Sequence, residues 1–325
     1  MMSVRVGLVG TGYAADVRAL ALKADTRSHL LAVAGQSIDR TSAFAERHGI
    51  ASVESWLDIV NDETLDLVVV ATVSALHGEV AEAALNAGKH VVVEYPLSLD
   101  LAQAERLLAI ASAKNLLLHV EHIELLGGLH QAMRSHLPSI GTPSYVSYRT
   151  LNPQRPAPLK WTYQPALFGF PFCGALSRVH RLTNLFGSVR AVDCCTRVVK
   201  RVAQPSFYSS ILSSGRLQFA SGMIAELTYG KGEGFWAARR DVEIQGSLGS
   251  LTFVRNEGLL TTVGGTQAIE VAPRKGLFVK DTKNVLAYLC EGSSLYVSSS
   301  ESVYALKVSD ALRRASESGQ TVSLD

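Results

Sequence analysis

The residues with the plainest chemical meaning stand at the front of the chain. Val6-Gly7-Leu8-Val9-Gly10-Thr11-Gly12-Tyr13-Ala14-Ala15 fits the spacing G-x-G-x-x-A between an apolar run and a helical stretch. That spacing suits a pyrophosphate. A glycine at 10 permits the tight turn, one at 12 lets phosphate approach the backbone, and small Ala15 lets helix and strand pack closely. The helix behind it presents N–H groups and the positive end of its dipole to an anion. Gly10, Thr11, Gly12, Tyr13 and Ala14 are therefore the expected dinucleotide cradle. The second apolar run ends in Ala34-Gly35-Gln36-Ser37, with no carboxylate to bind a ribose 2′-hydroxyl or repel a 2′-phosphate. With Arg40 nearby, Gln36 and Ser37 favour NADPH, NADH being the less favoured alternative. Ser37 reads equally as a helix N-cap and Arg40 as a solvated surface charge.

The elements that must carry this turn alternate strand and helix. Val4–Val9 and Leu30–Ala34 read as strands, with helices to Ala24 and over Ile38–His48 between and after them. Leu65–Ala71 is a nearly continuous β-branched run, as befits a strand buried on both faces. A helix over Ala75–Ala87 ends at Gly88, a strand follows over His90–Glu94, then a helix over Leu101–Lys114 and a strand over Leu116–Val120. This rhythm predicts an α/β fold with a doubly wound parallel sheet, a Rossmann domain over residues 1–122. Beyond it, residues 123–325 predict a substrate-binding α+β domain on an open, mainly antiparallel sheet. Helices are expected over Leu126–Leu137 and Ala175–Leu185, a strand over Tyr145–Thr150, and a long loop over 151–172. Strands dominate from Val189 to Val271, and helices near Lys280–Glu291 and Ser300–Ser318 close the chain.

Composition narrows the class. The 325 residues are 47% hydrophobic and 18% charged, with a formal net charge of +2, as in an ordinary globular enzyme and unlike an extended nucleic-acid binder. No apolar run is long enough to span a bilayer, and Met1-Met2-Ser3 leads straight into a strand, so neither membrane span nor signal peptide is expected. The four cysteines (Cys173, Cys194, Cys195 and Cys290) form no CxxC pair, and neighbours 194 and 195 should point to opposite faces of a strand. A reduced, cytoplasmic enzyme without structural metal is the expectation. His119 and His122 show His-x-x-His spacing, but on a strand their rings face opposite ways.

Two further segments carry a resemblance. Ala71-Thr72-Val73-Ser74-Ala75-Leu76-His77 and Gly88-Lys89-His90-Val91-Val92-Val93-Glu94-Tyr95-Pro96 resemble the glucose–fructose oxidoreductase / inositol dehydrogenase (Gfo/Idh/MocA-like) family. There the fourth strand ends in A-T-P-x-x-x-H beside the nicotinamide, and the fifth in G-K-H-V-x-x-E-K-P, whose lysine serves sugar oxidation. This chain has Tyr95 at that lysine. In the family's D-x-G-x-H-x-x-D signature it has Cys173 for the aspartate and Ser177 for the catalytic histidine. Oxidising a sugar alcohol needs a base for the hydroxyl proton, and that base is missing here.

E-Y-P in place of E-K-P resembles the biliverdin reductase branch. Five further stretches are similar to its cyanobacterial type: residues 119–128, Lys160-Trp161-Thr162-Tyr163, Phe168-Gly169-Phe170-Pro171, Ala175-Leu176-Ser177-Arg178 and Tyr229-Gly230-Lys231-Gly232-Glu233. The resemblance implies hydride transfer from NADPH to the central methine carbon (C10) of biliverdin and a proton to a pyrrole nitrogen, giving bilirubin. It implies Glu94, Tyr95 and Arg178 as catalytic residues, with Ala71, Thr72, His77 and Glu94 bordering the cofactor. His122, Arg178, Arg181, Trp161, Phe170 and Lys231 would contact the pigment. Each also has a plainer reading: Arg178 as a structural ion-pair residue, Tyr95 as packing, His122 as a core histidine, the aromatics as core. An alternative activity is a sugar or cyclitol dehydrogenase of the same family, and another a non-catalytic dinucleotide-binding regulator.

Overall fold

A computed structural model describes residues 3–324; Met1 and Met2, part of the leader-free reading, lie outside the described residues. The chain divides into two compact units. One runs to Ile123 and takes in Gly276–Val303; the other holds Glu124–Lys275 and the chain from Tyr304 on.

The first unit alternates β1 (Val4–Val9), α1 (Tyr13–Lys23), β2 (Ser28–Ala34), α2 (Ile38–His48), β3 (Ala51–Val53) and α3 (Trp56–Asn61). It continues with β4 (Leu67–Val70), α4 (Ser74–Asn86), β5 (His90–Val93), α5 (Leu101–Ala113) and β6 (Leu118–Val120). All its strand pairs are parallel, in the order β3-β2-β1-β4-β5-β6. The order reverses between β1 and β4, the place where such sheets open a crevice at their carboxyl ends. Every residue of β4 is buried, because helices cover both faces. Val6, Leu8, Val33, Phe44, Leu67 and Val69 form the core with Ala15, Ala19 and Leu22 of α1. The sequence reading omits β3 and α3, at three and six residues too short for periodicity. The signal present was Ser55 and Asp58, which form a reciprocal capping box.

The second unit contains α6 (Gly128–His136), β7 (Pro143–Pro153), α7 (Pro165–Phe168), α8 (Pro171–Gly174), α9 (Ser177–Phe186), β8 (Val189–Lys200) and β9 (Tyr208–Phe219). There follow β10 (Ile224–Gly232), β11 (Arg239–Gly246), β12 (Gly249–Val254), β13 (Glu257–Thr262) and β14 (Gly265–Ile269). The chain ends with α10 (Leu277–Glu291), α11 (Ser299–Ser318) and β15 (Val322–Ser323). The nine strands run in the order β14-β13-β12-β11-β7-β10-β9-β8-β15, antiparallel except where β7 meets β10. Buried and less buried residues alternate along β9, the mark of a sheet covered on one face. The expected loop over 151–172 is shorter: β7 runs on to Pro153, and Pro165 and Pro171 start the short helices α7 and α8. Helix α10 belongs to the first unit and packs on α1, a return that a division into 1–122 and 123–325 leaves out.

On the covered face, α11 lies so close to β9 that a Cβ added at Gly215 would sit 2.7 Å from Leu312 Cδ2. Leu312 is fully buried there. Leu312→Ala should cost about 2–5 kcal/mol in unfolding free energy, read from urea titration, because the sheet and helix cannot close the void.

Candidate active site

The glycine turn sits at the switch point. Gly10 N donates to Ala34 O at 2.8 Å, and Ala71 N donates to Val9 O at 2.8 Å, so the ends of β2, β1 and β4 are tied together. Gly10 has φ +128°, and a Cβ there would lie 2.2 Å from Ala71 O. Only glycine lets β1 turn past β4 at this point. Gly12 is different: its φ is ordinary, and a Cβ there would meet nothing within 4 Å. It is the N-cap of α1 and no side chain caps that end. The arrangement fits a pyrophosphate, with open space over Gly12 and helix N–H groups that need a partner.

The flanking residues complete this rim. Thr11 packs against Gly35, where an added Cβ would lie 2.8 Å from Thr11 Cγ2. Tyr13 is largely exposed, its ring edge-on to Phe278 at 6.3 Å, and Ala14 is half-buried. Ala71 and half-buried Thr72 follow β4. Ser37 occupies the N-cap of α2, yet its hydroxyl makes no capping bond; Gln36 and Arg40 are exposed on either side of it. The N-cap reading of Ser37 is thus half met: the position is right, the hydrogen bond is not made. His77, expected at the cofactor, is buried with Nδ1 2.8 Å from Pro96 O and Nε2 3.1 Å from Thr72 O. Burial lowers its pKa. Each ring nitrogen lies within reach of a backbone carbonyl and one of them donates, so His77 braces the ends of β4 and β5.

A cluster of buried charge lies beyond β5 and β6. Register pairs Val93 with Val120, so the next residues, Glu94 and Glu121, stand side by side one step past the ladder. Glu94 N donates to Val70 O at 3.0 Å and Glu121 N to Val93 O at 2.8 Å. Arg18, 1% exposed on α1, donates from Nε to Glu94 Oε1 at 3.0 Å and from Nη1 to Asp281 of α10. Asp281 also meets His119 Nε2 at 2.8 Å and accepts from Tyr296 OH at 2.7 Å. Burial alone would raise the Asp281 pKa, but Arg18 and His119 hold it well below the usual carboxylate range. Glu121 goes the other way. Burial, the neighbouring charge of Glu94 and a hydrogen bond to Glu94 push its pKa well up, against the pull of Arg18.

Tyr95 and His122 flank these carboxyls. Their rings stack at 5.4 Å with 8° between planes, and His122 Nε2 lies 2.7 Å from Ser302 Oγ. His119 and His122 therefore address different partners, and among the described residues no group of three His, Cys, Asp or Glu side chains could hold a metal. Arg18 and Asp281 escaped the sequence reading. The available signal was a charged residue within the Ala15-Ala19-Leu22 stripe of α1, since a buried guanidinium requires carboxylates.

In the second unit, Arg178 stands in the first turn of α9, half-buried. Its Nε donates to Thr150 Oγ1 at 3.2 Å and its guanidinium lies 4.8 Å over the Tyr229 ring. Thr150 and Tyr229 are register partners on β7 and β10, so the parallel strand pair sets the arginine's direction. Trp161 and Phe170 are half-buried, packed on Phe168 and Phe172 at 6.1 and 5.9 Å. Two of the expected pigment contacts, Lys231 and Arg181, are buried. Lys231 is buried, donates to Thr162 O at 2.5 Å and sits 3.7 Å over the Phe168 ring; burial, then Arg178, lower its pKa to about 7. Arg181 is 2% exposed, bonded to Tyr148 OH at 2.6 Å and paired with Glu124 at 3.2 Å. Both cations have partners in the interior of the unit, where a buried charge must be satisfied. At the signature positions Cys173 is buried, which pushes its thiol up to about 12, and Ser177 is buried too.

Comparison with known proteins agrees with this architecture. Residues 4–122 match the oxidoreductase family model for an NAD-binding Rossmann fold, and residues 138–324 match the same family's C-terminal alpha/beta domain. The chain belongs to this Gfo/Idh/MocA oxidoreductase family. A solved structure of biliverdin reductase from Synechocystis sp. PCC 6803, in complex with biliverdin and NADP+, superposes with a TM-score of 0.94. It is 47% identical, over 96% of this chain and 98% of that one. Biliverdin reductase A of Mus musculus is 31% identical over 58% of this chain and 60% of its own length. A dTDP-3,4-didehydro-2,6-dideoxy-alpha-D-glucose 3-reductase from Actinomadura kijaniata is 41% identical over 35% of each chain. The matches to these curated relatives thus span between about a third and three-fifths of their length. A levoglucosan dehydrogenase superposes with a TM-score of 0.86 at 18% identity and shares the fold.

The two glycines of the turn should separate under substitution. Gly10→Ala should lose about 2–4 kcal/mol of stability from backbone strain and the clash with Ala71 O. Gly12→Ala should fold normally and weaken dinucleotide binding; thermal melts and fluorescence titration with NADPH check the pair. The titration of Glu121 gives a second expectation. Its folded pKa is raised. Its contribution to stability is therefore full below the unfolded glutamate value of about 4.3 and declines as pH rises through the folded value. The unfolding free energy of wild type minus Glu121→Gln should fall over that interval in urea titrations. A difference constant with pH would mean that the carboxyl titrates normally.

Proposed function

We propose that this member of the Gfo/Idh/MocA oxidoreductase family is an NADPH-dependent bilin reductase, reducing biliverdin at its central methine carbon (C10) to give bilirubin. The observation that carries the reading is the near full-length likeness, at 47% identity, to the Synechocystis enzyme bound to biliverdin and NADP+. The likeness to the sugar 3-reductase covers 35% of the chain and does not compete with it over the remainder.

The chemistry of the side chains points the same way. Oxidising an alcohol needs a group that accepts its proton near neutral pH. Positions 95, 173 and 177 offer a tyrosine, a buried thiol with its pKa pushed up to about 12 and a buried serine. Reducing a methine bridge between pyrroles requires no such base. It requires a hydride, a proton and relief of the negative charge that the hydride brings onto the pigment.

NADPH, when bound over the Gly10-Thr11-Gly12 turn, supplies the hydride. The uncapped start of α1 would hold its pyrophosphate, and the unused Ser37 hydroxyl with exposed Arg40 would receive the 2′-phosphate. Arg178, aimed by Thr150 and Tyr229, would hold a lactam oxygen or propionate and stabilise the reduced pigment. A guanidinium is a poor proton donor, so its part is electrostatic. Tyr95, stacked on His122, presents a flat apolar surface next to Glu94.

Biliverdin with NADPH should lose its red-region absorbance band while a bilirubin band rises. An unchanged spectrum, with NADPH bound, would leave a dinucleotide-binding regulator; NADP+ reduction by sugars or cyclitols instead would indicate the dehydrogenase. Arg178→Ala should lower kcat about 10²-fold or more with NADPH affinity kept. Near-normal turnover in that variant would remove Arg178 from the mechanism.

A further inference from the structure

Bilin reduction consumes a proton along with the hydride, and the buried carboxyl pair beyond β5 and β6 bears on its source. Glu94 and Glu121 follow the register partners Val93 and Val120 at the carboxyl ends of adjacent parallel strands, so their side chains leave the sheet next to each other. An ionised carboxylate only accepts hydrogen bonds. Two adjacent carboxyls with one of them buried therefore favour a state with one proton for the pair, as in other carboxylate dyads too close for both members to ionise. Glu121 is 1% exposed and its Oε1 accepts from Ile123 N at 2.5 Å, while the Glu94 side chain keeps 14% exposure. The pair thus has a closed end and an open end.

We propose that Glu94 and Glu121 share one proton and deliver it to the pigment, with Glu121 holding the proton and Glu94 passing it on. The proposal rests on the bilin reductase reading of this site. The methine carbon takes the hydride with its electron pair as NADPH is oxidised to NADP+, and negative charge moves to a pyrrole nitrogen. The O–H bond of the pair breaks, an N–H bond forms on the pigment, and the pair regains a proton from water at Glu94.

The surroundings set the balance of this pair. Arg18 from α1 donates to Glu94 and, with Asp281 from α10, faces Glu121; Tyr296 also lies within electrostatic reach of Glu121, and His77 within reach of Glu94. Asp281 stays ionised and offsets most of the Arg18 charge. One cation faces three carboxyls, Glu94, Glu121 and Asp281, and a proton shared by the glutamate pair lessens the negative charge left uncompensated in a buried place. Loss of that proton becomes favourable only as the pigment takes on negative charge, which couples the proton to the hydride. Glu121 is a positioning residue in this scheme, since it acts through Glu94.

Glu121→Gln tests the scheme, because glutamine retains a donor to Glu94 but has no proton to give. Two readouts apply: the infrared carbonyl stretch of a protonated carboxyl in the resting protein at neutral pH, and the pH profile of kcat. The wild type should show a protonated-carboxyl band that shifts in deuterium oxide and is lost in Glu121→Gln. The variant should bind NADPH normally while kcat falls about 10²-fold and its alkaline limb moves to lower pH. A merely structural glutamate would leave that limb in place. No band in the wild type, or an unchanged kcat profile in the variant, overturns the proposal. If the variant does not fold, Glu94→Gln decides instead: its protonated-carboxyl band should shift as Glu121 loses its partner, and an unshifted band overturns the sharing. A wild-type band without any bilin turnover overturns the bilin reading while leaving the shared proton itself established.

Discussion

A guanidinium removed from water has to be answered by carboxylates, and the first unit is organised around that demand at Arg18. The side chain leaves α1 inside an otherwise apolar stripe and joins Glu94 after β5 to Asp281 on α10. Replacing a whole buried ion cluster by well-packed apolar residues is often neutral, so stability alone is a weak reason for the arrangement. Its consequence for the site is stronger. Arg18 fixes Glu94 in place at the carboxyl edge of the sheet, where parallel strands open toward a ligand. It is also a single cation among three carboxyls, Glu94, Asp281 and Glu121, a setting in which a proton shared by the two glutamates lessens the excess of negative charge.

The dinucleotide turn obeys a different constraint, that of space. Gly10 is required because backbone from the end of β4 fills the position of its missing side chain. Gly12 faces the opposite condition, empty space above an uncapped helix end. One glycine closes the switch point and the other leaves it open, and both are needed for phosphate to meet the first turn of α1. The carboxyl pair and the glycine turn both stand at the carboxyl ends of one parallel sheet, so in the proposed reaction the groups for hydride and proton are held by the same sheet.

What the sequence disclosed follows from the range of the forces involved. Helix Ile38–His48 and the buried strand Leu67–Val70 are local matters of periodicity and β-branched runs, and both are legible. So is the change to mainly antiparallel strands after β6. Short β3 and α3 carry too few residues for a period, although the Ser55–Asp58 capping box was there to be read. The return of α10 to the first unit depends on pairs such as Arg18 and Asp281, separated by 263 positions, which no local pattern reveals. Cations were the least legible residues. Arg178, Arg181 and Lys231 lie close together in type and context, yet burial assigns Arg181 and Lys231 to the interior and leaves Arg178 half-buried. Fractional burial is set by packing across β7, β10 and α9, and one sequence does not display it.

The departures at 95, 173 and 177 acquire a common meaning when the proton is followed. A sugar dehydrogenase removes a proton from its substrate, so its site must hold a base that is empty at neutral pH. A bilin reductase gives a proton, so its site must hold an acid that is loaded at neutral pH. The same fold can serve either direction by changing which groups are buried and with what neighbours. Here the positions that carry the family's base are occupied by Tyr95, Cys173 and Ser177. In the proposed reaction the loaded group comes instead from two adjacent strand ends, where burial and a second carboxylate raise the pKa of Glu121. A base made of a lone lysine needs only one strand to place it. An acid made of two carboxyls needs the register of β5 and β6 to be right to the residue, and the Val93–Val120 pair supplies that register.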